Sequence, residues 1–258
     1  MNIKKEQDLS VFYSRNNGYW DIRSKYYNNL KWAKDEQYIN KIISIANFEK
    51  TDLVLEVGTG TGILLSHIAP LVGEIIGIDL SAAMLNKIRF RHPNSYFIRS
   101  DIRESLFKEN LFDKVVARMV FHHILEDTDI ALKECYRILK KGGMMIFAEG
   151  VPPCRELRED FKRIFALKEK RITFLPEDMV KLMEEAGFCQ IKVDYYITRE
   201  MSVRNWLDNS GLSEQVKEKI FNMHLNGTDL FKKAYNLKVR NNDCLIDTVN
   251  AIVTGIKK

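Results

Sequence analysis

The 258-residue sequence contains no run of about 20 apolar residues, so a membrane-spanning helix is excluded. Its opening, Met-Asn-Ile-Lys-Lys-Glu-Gln-Asp, is polar and lacks the apolar centre of a secretory signal. Cysteine is sparse: Cys135, Cys154, Cys189 and Cys244 lie far apart and form no C-x-x-C pair. That spacing argues against a disulfide framework or a zinc site and for reduced thiols. Together these absences predict a cytoplasmic chain with no membrane partner. Charge of one sign is also lacking. Forty Lys and Arg stand against 35 Asp and Glu, interleaved throughout, and the net charge of +5 is not the signature of a nucleic-acid-binding surface. There is no internal repeat and no low-complexity tract. The length suits one α/β domain with an elaboration, and 45% hydrophobic content is ordinary for a globular chain.

What the sequence does have is the stretch Leu53 to Gly62, Leu-Val-Leu-Glu-Val-Gly-Thr-Gly-Thr-Gly. Its apolar, β-branched first half reads as a buried strand. Gly58, Gly60 and Gly62 then supply a turn that permits positive φ and lets a ligand approach the backbone. Ile63, Leu64 and Leu65 open a helix. A strand, a glycine turn and a helix start form a nucleotide-type cradle at the carboxyl end of a parallel sheet. A dinucleotide fingerprint would need glycine where Ile63 stands, and a P-loop would need a lysine in register after Gly62; neither is present.

Further elements follow in order. Glu74 to Asp79 is a second strand, and Asp79 lies 21 positions after Gly58, an offset suited to a carboxylate accepting from vicinal ribose hydroxyls. Ser81 is placed to cap a helix over Ala82 to Arg91. Tyr96 to Ser100 and Phe112 onward read as the third and fourth strands, Thr128 to Leu139 as an amphipathic helix stopped by Gly142-Gly143, and Met144 to Glu149 as the fifth strand. Gln190 to Thr198 and Leu245 to Ile256 complete the sheet, with helical pattern over 202–241 between them.

The run Glu56-x-Gly58-x-Gly60-x-Gly62 resembles the first motif of the class I S-adenosylmethionine-dependent methyltransferases of small-molecule type, and residues 53–200 fit that family in order. The resemblance implies an α/β fold: a Rossmann-like, doubly wound seven-stranded sheet with its last strand antiparallel and helical lid insertions. It implies S-adenosylmethionine as cofactor, released as S-adenosylhomocysteine. Glu56, Gly58, Thr59, Gly60 and Asp79 would form the cofactor site; Leu80 and Met84 would border the adenine, Met84 reading equally as plain core; Asp101 would accept from the adenine amino group and the Ile102 amide would meet the ring. Asp101 reads equally well as the cap of the turn that follows it. Tyr27 belongs to an aromatic run, Tyr-Trp-Asp-Ile-Arg-Ser-Lys-Tyr-Tyr, that looks like the segment closing over the methionine end of the cofactor, and equally like aromatics capping the sheet edge. Arg118 departs from the small residue common at its position, although its carbonyl can still hold the cofactor's amino group. Because it stands where the metal-dependent enzymes of this fold place a carboxylate, no metal is expected. His122 and His123 are the catalytic candidates, one as a general base and at least one as a structural residue.

The expected organisation is an N-terminal helical lid segment, 1–50, and a methyltransferase domain, 51–258, with helical insertions at 151–175 and 202–241. The insertions read as a roof over the site or as packing helices. The expected function is metal-independent, in-line methyl transfer to a small-molecule acceptor by a monomer or homodimer. The rivals are an RNA or protein methyltransferase on the same fold and a cofactor-binding protein without catalysis.

Overall fold

Residues 18–258 are described by the computed structural model. Residues 18–24 form helix α1, followed by 3-10 turns at Tyr27–Asn29 and Trp32–Lys34. Of the aromatics that crowd the start of the sequence, Phe12 and Tyr13 lie outside the described residues. Helix α2 (Glu36–Ala46) begins where the Asp35 carboxylate accepts from the Tyr38 amide at 3.1 Å, satisfying one otherwise orphaned donor. It ends at Asn47, in the left-handed region with φ 47°. Its apolar residues recur at helical spacing, so Tyr38, Ile39, Ile42 and Ala46 are buried together.

The central sheet contains β1 (Leu53–Val57), β2 (Glu74–Asp79), β3 (Ser95–Arg99), β4 (Phe112–Arg118), β5 (Leu139–Val151), β6 (Cys189–Ser202), β7 (Lys238–Arg240) and β8 (Asp243–Ile256). Their order is β3-β2-β1-β4-β5-β8-β6, with the short β7 also paired to β8. The pairings among β1 to β5 are parallel, whereas β8 runs antiparallel to β5, β6 and β7. The order reverses at β1, between β2 and β4, and in such sheets the crevice at that switch point is where ligands sit.

Side-chain alternation along each strand divides the core in two. Leu55, Val115, Ala117 and Phe147 face helices α5 (Thr128–Ile138) and α7 (Pro176–Glu185). Val54, Ile75, Val116 and Ile146 face α2 and α3 (Ile63–Ile68). A third cluster lies beyond the sheet. Leu30 and Ala33 meet Leu157 and Ile164 of the α6 region (helix Arg158–Ala166), together with Trp206, Ile220, Phe231 and Ile246. Those last residues come from α8 (Val203–Asp208), α9 (Glu214–Leu225), α10 (Asp229–Ala234) and β8. Each fully buried leucine, isoleucine or phenylalanine contributes about 1.5–3 kcal/mol, so this layer is held to the sheet by a core of its own.

The fifth and sixth strands run longer than their sequence pattern, and two elements differ in kind or extent. Only Ala82–Leu85 (α4) of the expected helix over 82–91 is regular, although Ser81 does cap it, its Oγ accepting from the Met84 amide at 3.2 Å. After Leu85 the backbone tightens to bonds from Lys87 to Met84 and from Ile88 to Leu85, Arg89 and Arg91 side chains cover the freed carbonyls, and Pro93 disfavours helix in the residue before it. The sheet also has an eighth strand, because the helical pattern over 202–241 ends early. Asn241 and Asn242 both adopt positive φ, 50° and 59°, the two-residue turn that matches strand twist, and so fold Lys238–Arg240 back against Asp243–Leu245.

Candidate active site

At the carboxyl end of β1, Gly58, Gly60 and Gly62 have φ values of 69°, 56° and 78°, a run that only glycine adopts without strain. A Cβ on Gly58 would overlap the Val120 side chain, whereas one on Gly60 would meet nothing nearer than the Gly58 carbonyl at 4.0 Å and would project into open space. The turn is braced from behind. Thr59 Oγ1 donates to Glu56 Oε2 at 2.6 Å, and the Thr59 amide donates to the Ile78 carbonyl at 2.9 Å. Burial pushes the Glu56 carboxyl up to about 7. Asp79 ties the turn to the second strand: its Oδ2 accepts from the Gly60 amide and its Oδ1 from the Ser81 amide, both at 2.8 Å. Each of these oxygens retains a lone pair for a hydroxyl group.

These residues open onto a cleft. Of the residues proposed from sequence for the cofactor, Tyr27, Gly58, Gly60, Asp79, Leu80, Met84, Asp101, Ile102 and Arg118 line it. Glu56 and Thr59 do not; they support the turn from the core side. Asp101 is engaged as a cap, accepting from the Arg103 amide at 2.9 Å, and it pairs with the Arg103 guanidinium at 2.7 Å. Arg118 extends away from β4 to the Ala33 carbonyl, 3.2 Å from both terminal nitrogens, and so links the sheet to the N-terminal segment. Glycine backbone, a carboxylate with spare lone pairs and apolar side chains from Leu80, Met84 and Ile102 fit the ribose and adenine of S-adenosylmethionine.

A second cleft adjoins the first. Trp20, Tyr27, Met119 and His123 line both and mark the junction. Met119 is held there with φ 58°, an unfavourable conformation for a residue of its type, while its amide donates to the Ala148 carbonyl at 2.8 Å. The walls of the second cleft are aromatic: Trp20, Trp32, Phe161, Phe165, Trp206 and Tyr235. His123 packs edge-on against Trp20 with centroids 4.7 Å apart and lies 4.0 Å from the His122 ring. His122 is buried, and its Nδ1 is 2.6 Å from Oε2 of Glu149, a fully buried carboxyl at the end of β5. Glu149 Oε1 also accepts from the amides of Val120 and His122, which fixes the loop leaving β4. Burial, reinforced by neighbouring positive charge, holds both imidazoles well below their usual pKa and therefore neutral near pH 7.

One charged group in this cleft escaped the sequence reading. Glu169 is reached by Arg23 at 3.1 Å, Lys168 at 2.5 Å and Arg171 at 3.7 Å, and by the Tyr19 hydroxyl. All four charged side chains are nearly excluded from solvent. Burial alone would raise the Glu169 carboxyl, but the surrounding cations, Lys168 first, outweigh it and hold the group well below the carboxylate range. In sequence Lys168-Glu169-Lys170-Arg171 is an ordinary run of mixed charge after a helix, and nothing local marks three of its members as buried. His122, His123 and Glu169 each place a ligand atom within 4.8 Å of the others. The three cationic side chains on Glu169 oppose a metal ion there.

Comparison with known proteins agrees with this geometry. Residues 55–147 match a family described as a methyltransferase domain. The chain is 28% identical over 222 residues to the demethylmenaquinone methyltransferase of Staphylococcus haemolyticus, spanning 74% of this chain and 90% of that one. Its fold is shared with a putative methyltransferase of Bacillus halodurans, with a TM-score of 0.73 and 20% identity over 85% of this chain and 98% of the other. It is shared also with a Haemonchus contortus phosphoethanolamine N-methyltransferase solved with S-adenosylhomocysteine, with a TM-score of 0.60 and 20% identity over 86% of this chain and 52% of that one.

Proposed function

The chain is a class I S-adenosylmethionine-dependent methyltransferase, and from that premise we propose that it methylates a small, planar acceptor held in the aromatic cleft. The observation that carries this reading is the second cleft itself, which meets the cofactor cleft at Trp20, Tyr27, Met119 and His123. The relatives named for demethylmenaquinone point the same way, toward a small molecule rather than a polymer.

Bound S-adenosylmethionine supplies a methyl group on a positively charged sulfur, already an electrophile. The chain's task is then alignment. Tyr27, Gly58, Gly60, Asp79, Leu80, Met84, Asp101, Ile102 and the Arg118 backbone would hold the cofactor, with Glu56 and Thr59 bracing the turn. The segment 18–34, the region 151–175 and helices α8 to α10 serve as the roof that excludes water. His123, at the junction, is the candidate base: a neutral ring nitrogen can take the proton of an acceptor that arrives protonated. His122 is the positioning residue, tied to Glu149.

The test is methyl incorporation from radiolabelled S-adenosylmethionine into a small-molecule extract against incorporation into total RNA. Label in the extract, insensitive to salt, is expected. Label in RNA alone, falling steeply as salt rises, would replace this reading with a nucleic-acid methyltransferase.

A further inference from the structure

We infer that the acceptor carries an anionic oxygen group, a carboxylate or a phosphate, seated on Arg23 and Arg171 in the aromatic cleft. The inference rests on the small-molecule reading above and names the acceptor's chemistry more narrowly.

Among the described residues, the cleft is lined by three cationic side chains, Arg23, Lys168 and Arg171, and by one carboxylate, Glu169. The side chains of Arg23, Lys168 and Arg171 are 6%, 3% and 3% exposed, so water does not compensate their charge. Buried charge is costly unless it is paired. Glu169 cannot neutralise all three. The next carboxyl, Glu149, is committed to His122 and to the amides of Val120 and His122. Lys168 responds to this surplus: burial first, then the charge of Arg23, brings its ammonium down to about 7.

The hydrogen-bonding pattern points the same way. Arg23 Nε and Arg171 Nη2 are buried donors with no hydrogen-bond partner among the described residues. A guanidinium presents donors in a fixed fork that matches a carboxylate or phosphate. Arg171 is held in place by stacking 4.3 Å from the centre of the Phe165 ring, and Arg23 lies 5.6 Å from that of Trp20. Two desolvated guanidiniums with unused donors, inside a cleft walled by aromatic rings, describe a receptor for an aromatic or otherwise planar anion.

The experiment is calorimetry on the full chain saturated with S-adenosylhomocysteine, using benzoate, phenyl phosphate and the neutral analogue benzamide. Benzoate or phenyl phosphate should bind at least about tenfold more tightly than benzamide, and the tighter of the two anions identifies the group. Arg171→Gln and Arg23→Gln should each weaken that anion about tenfold or more, with Arg171→Lys losing less. All three variants should bind S-adenosylhomocysteine as the wild type does, which reports that they are folded, since neither arginine lines the cofactor cleft. Benzamide binding as tightly as the anions, no binding of either anion, or anion affinity untouched by both Gln variants would overturn the inference. Failure of the wild type to bind S-adenosylhomocysteine would instead strike the cofactor reading, and the anion titration can then be repeated without it.

Discussion

The two clefts are neighbours built by opposite means. Apart from Trp20 and Tyr27, the cofactor cleft is drawn from residues 57–124, one continuous stretch in which strand ends and a glycine turn do most of the work. The aromatic cleft gathers residues 20–38, 119–123, 150–171, 198–206 and 224–250. The first is determined by backbone geometry and tolerates little change. The second is determined by packing among segments far apart in sequence, so its shape and charge can vary while the sheet stays the same. A chain of this design keeps one cofactor and is free to specialise its acceptor.

The sharpest way to break this contrast is Gly58→Ala. Its φ of 69° and the overlap with Val120 together predict loss of measurable S-adenosylhomocysteine binding by calorimetry. Normal affinity in that variant would mean that the turn is not the rigid half of the site. Next in size is His123→Ala, which should reduce methyl incorporation by roughly 10²- to 10⁴-fold if the ring moves a proton. Cofactor affinity should stay within about twofold, a change worth only about 0.4 kcal/mol. Turnover equal to that of the wild type would leave the ring as packing for Trp20. Asp79→Ala should weaken S-adenosylhomocysteine by about ten- to a hundredfold, since hydrogen bonds to a charged acceptor are worth about 1.5–3 kcal/mol. It should leave binding of anions in the other cleft unchanged.

The smallest expected effect concerns Glu56, which belongs to the cofactor half without touching its cavity. Burial raises its carboxyl from 4.5 unfolded to about 7 folded. The stability this group contributes is therefore full below pH 4.5 and is lost as the pH rises through about 7. Glu56→Gln removes that dependence. It should raise the melting temperature at pH 8 relative to wild type by more than it does at pH 5. The full shift corresponds to at most about 3 kcal/mol, and relaxation around the buried group brings the expected difference nearer to about 1 kcal/mol. Equal effects of the substitution at both pH values would show that Glu56 is ionised in the folded chain.

How legible each half was follows from the same contrast. The glycine spacing, Asp79, the strand-end positions of Leu80 and Asp101 and the place of Met84 in the helix after β2 are local, and a strand leading into a glycine turn can be read residue by residue. Glu56 shows the limit even there: its place in the motif marks it for the cofactor, yet strand alternation turns it toward the core, where it holds Thr59. The competing roles of Asp101 were not separable in sequence, because a cap and a ligand acceptor use the same oxygens. The helix over 82–91 was overestimated because the periodicity continues past Asn86 while the hydrogen bonds do not. The eighth strand was missed because its evidence is a pair of asparagines in left-handed geometry, and asparagine is also common in ordinary loops.

What the sequence by itself determined is the run of strands β1 to β5 and the cradle at the end of β1, because these rest on alternation and on glycine φ. What only the tertiary structure decided is the aromatic cleft: the joining of Trp20 to His123, of Glu149 to His122, and of Arg23 to Glu169 across 146 residues. The reason is physical. A turn is specified by the conformational preferences of the residues in it. A buried charge is specified by what surrounds it, and the surroundings of Lys168 and Arg171 are supplied by Arg23, Phe161, Phe165 and Trp206, which come together only in the folded chain.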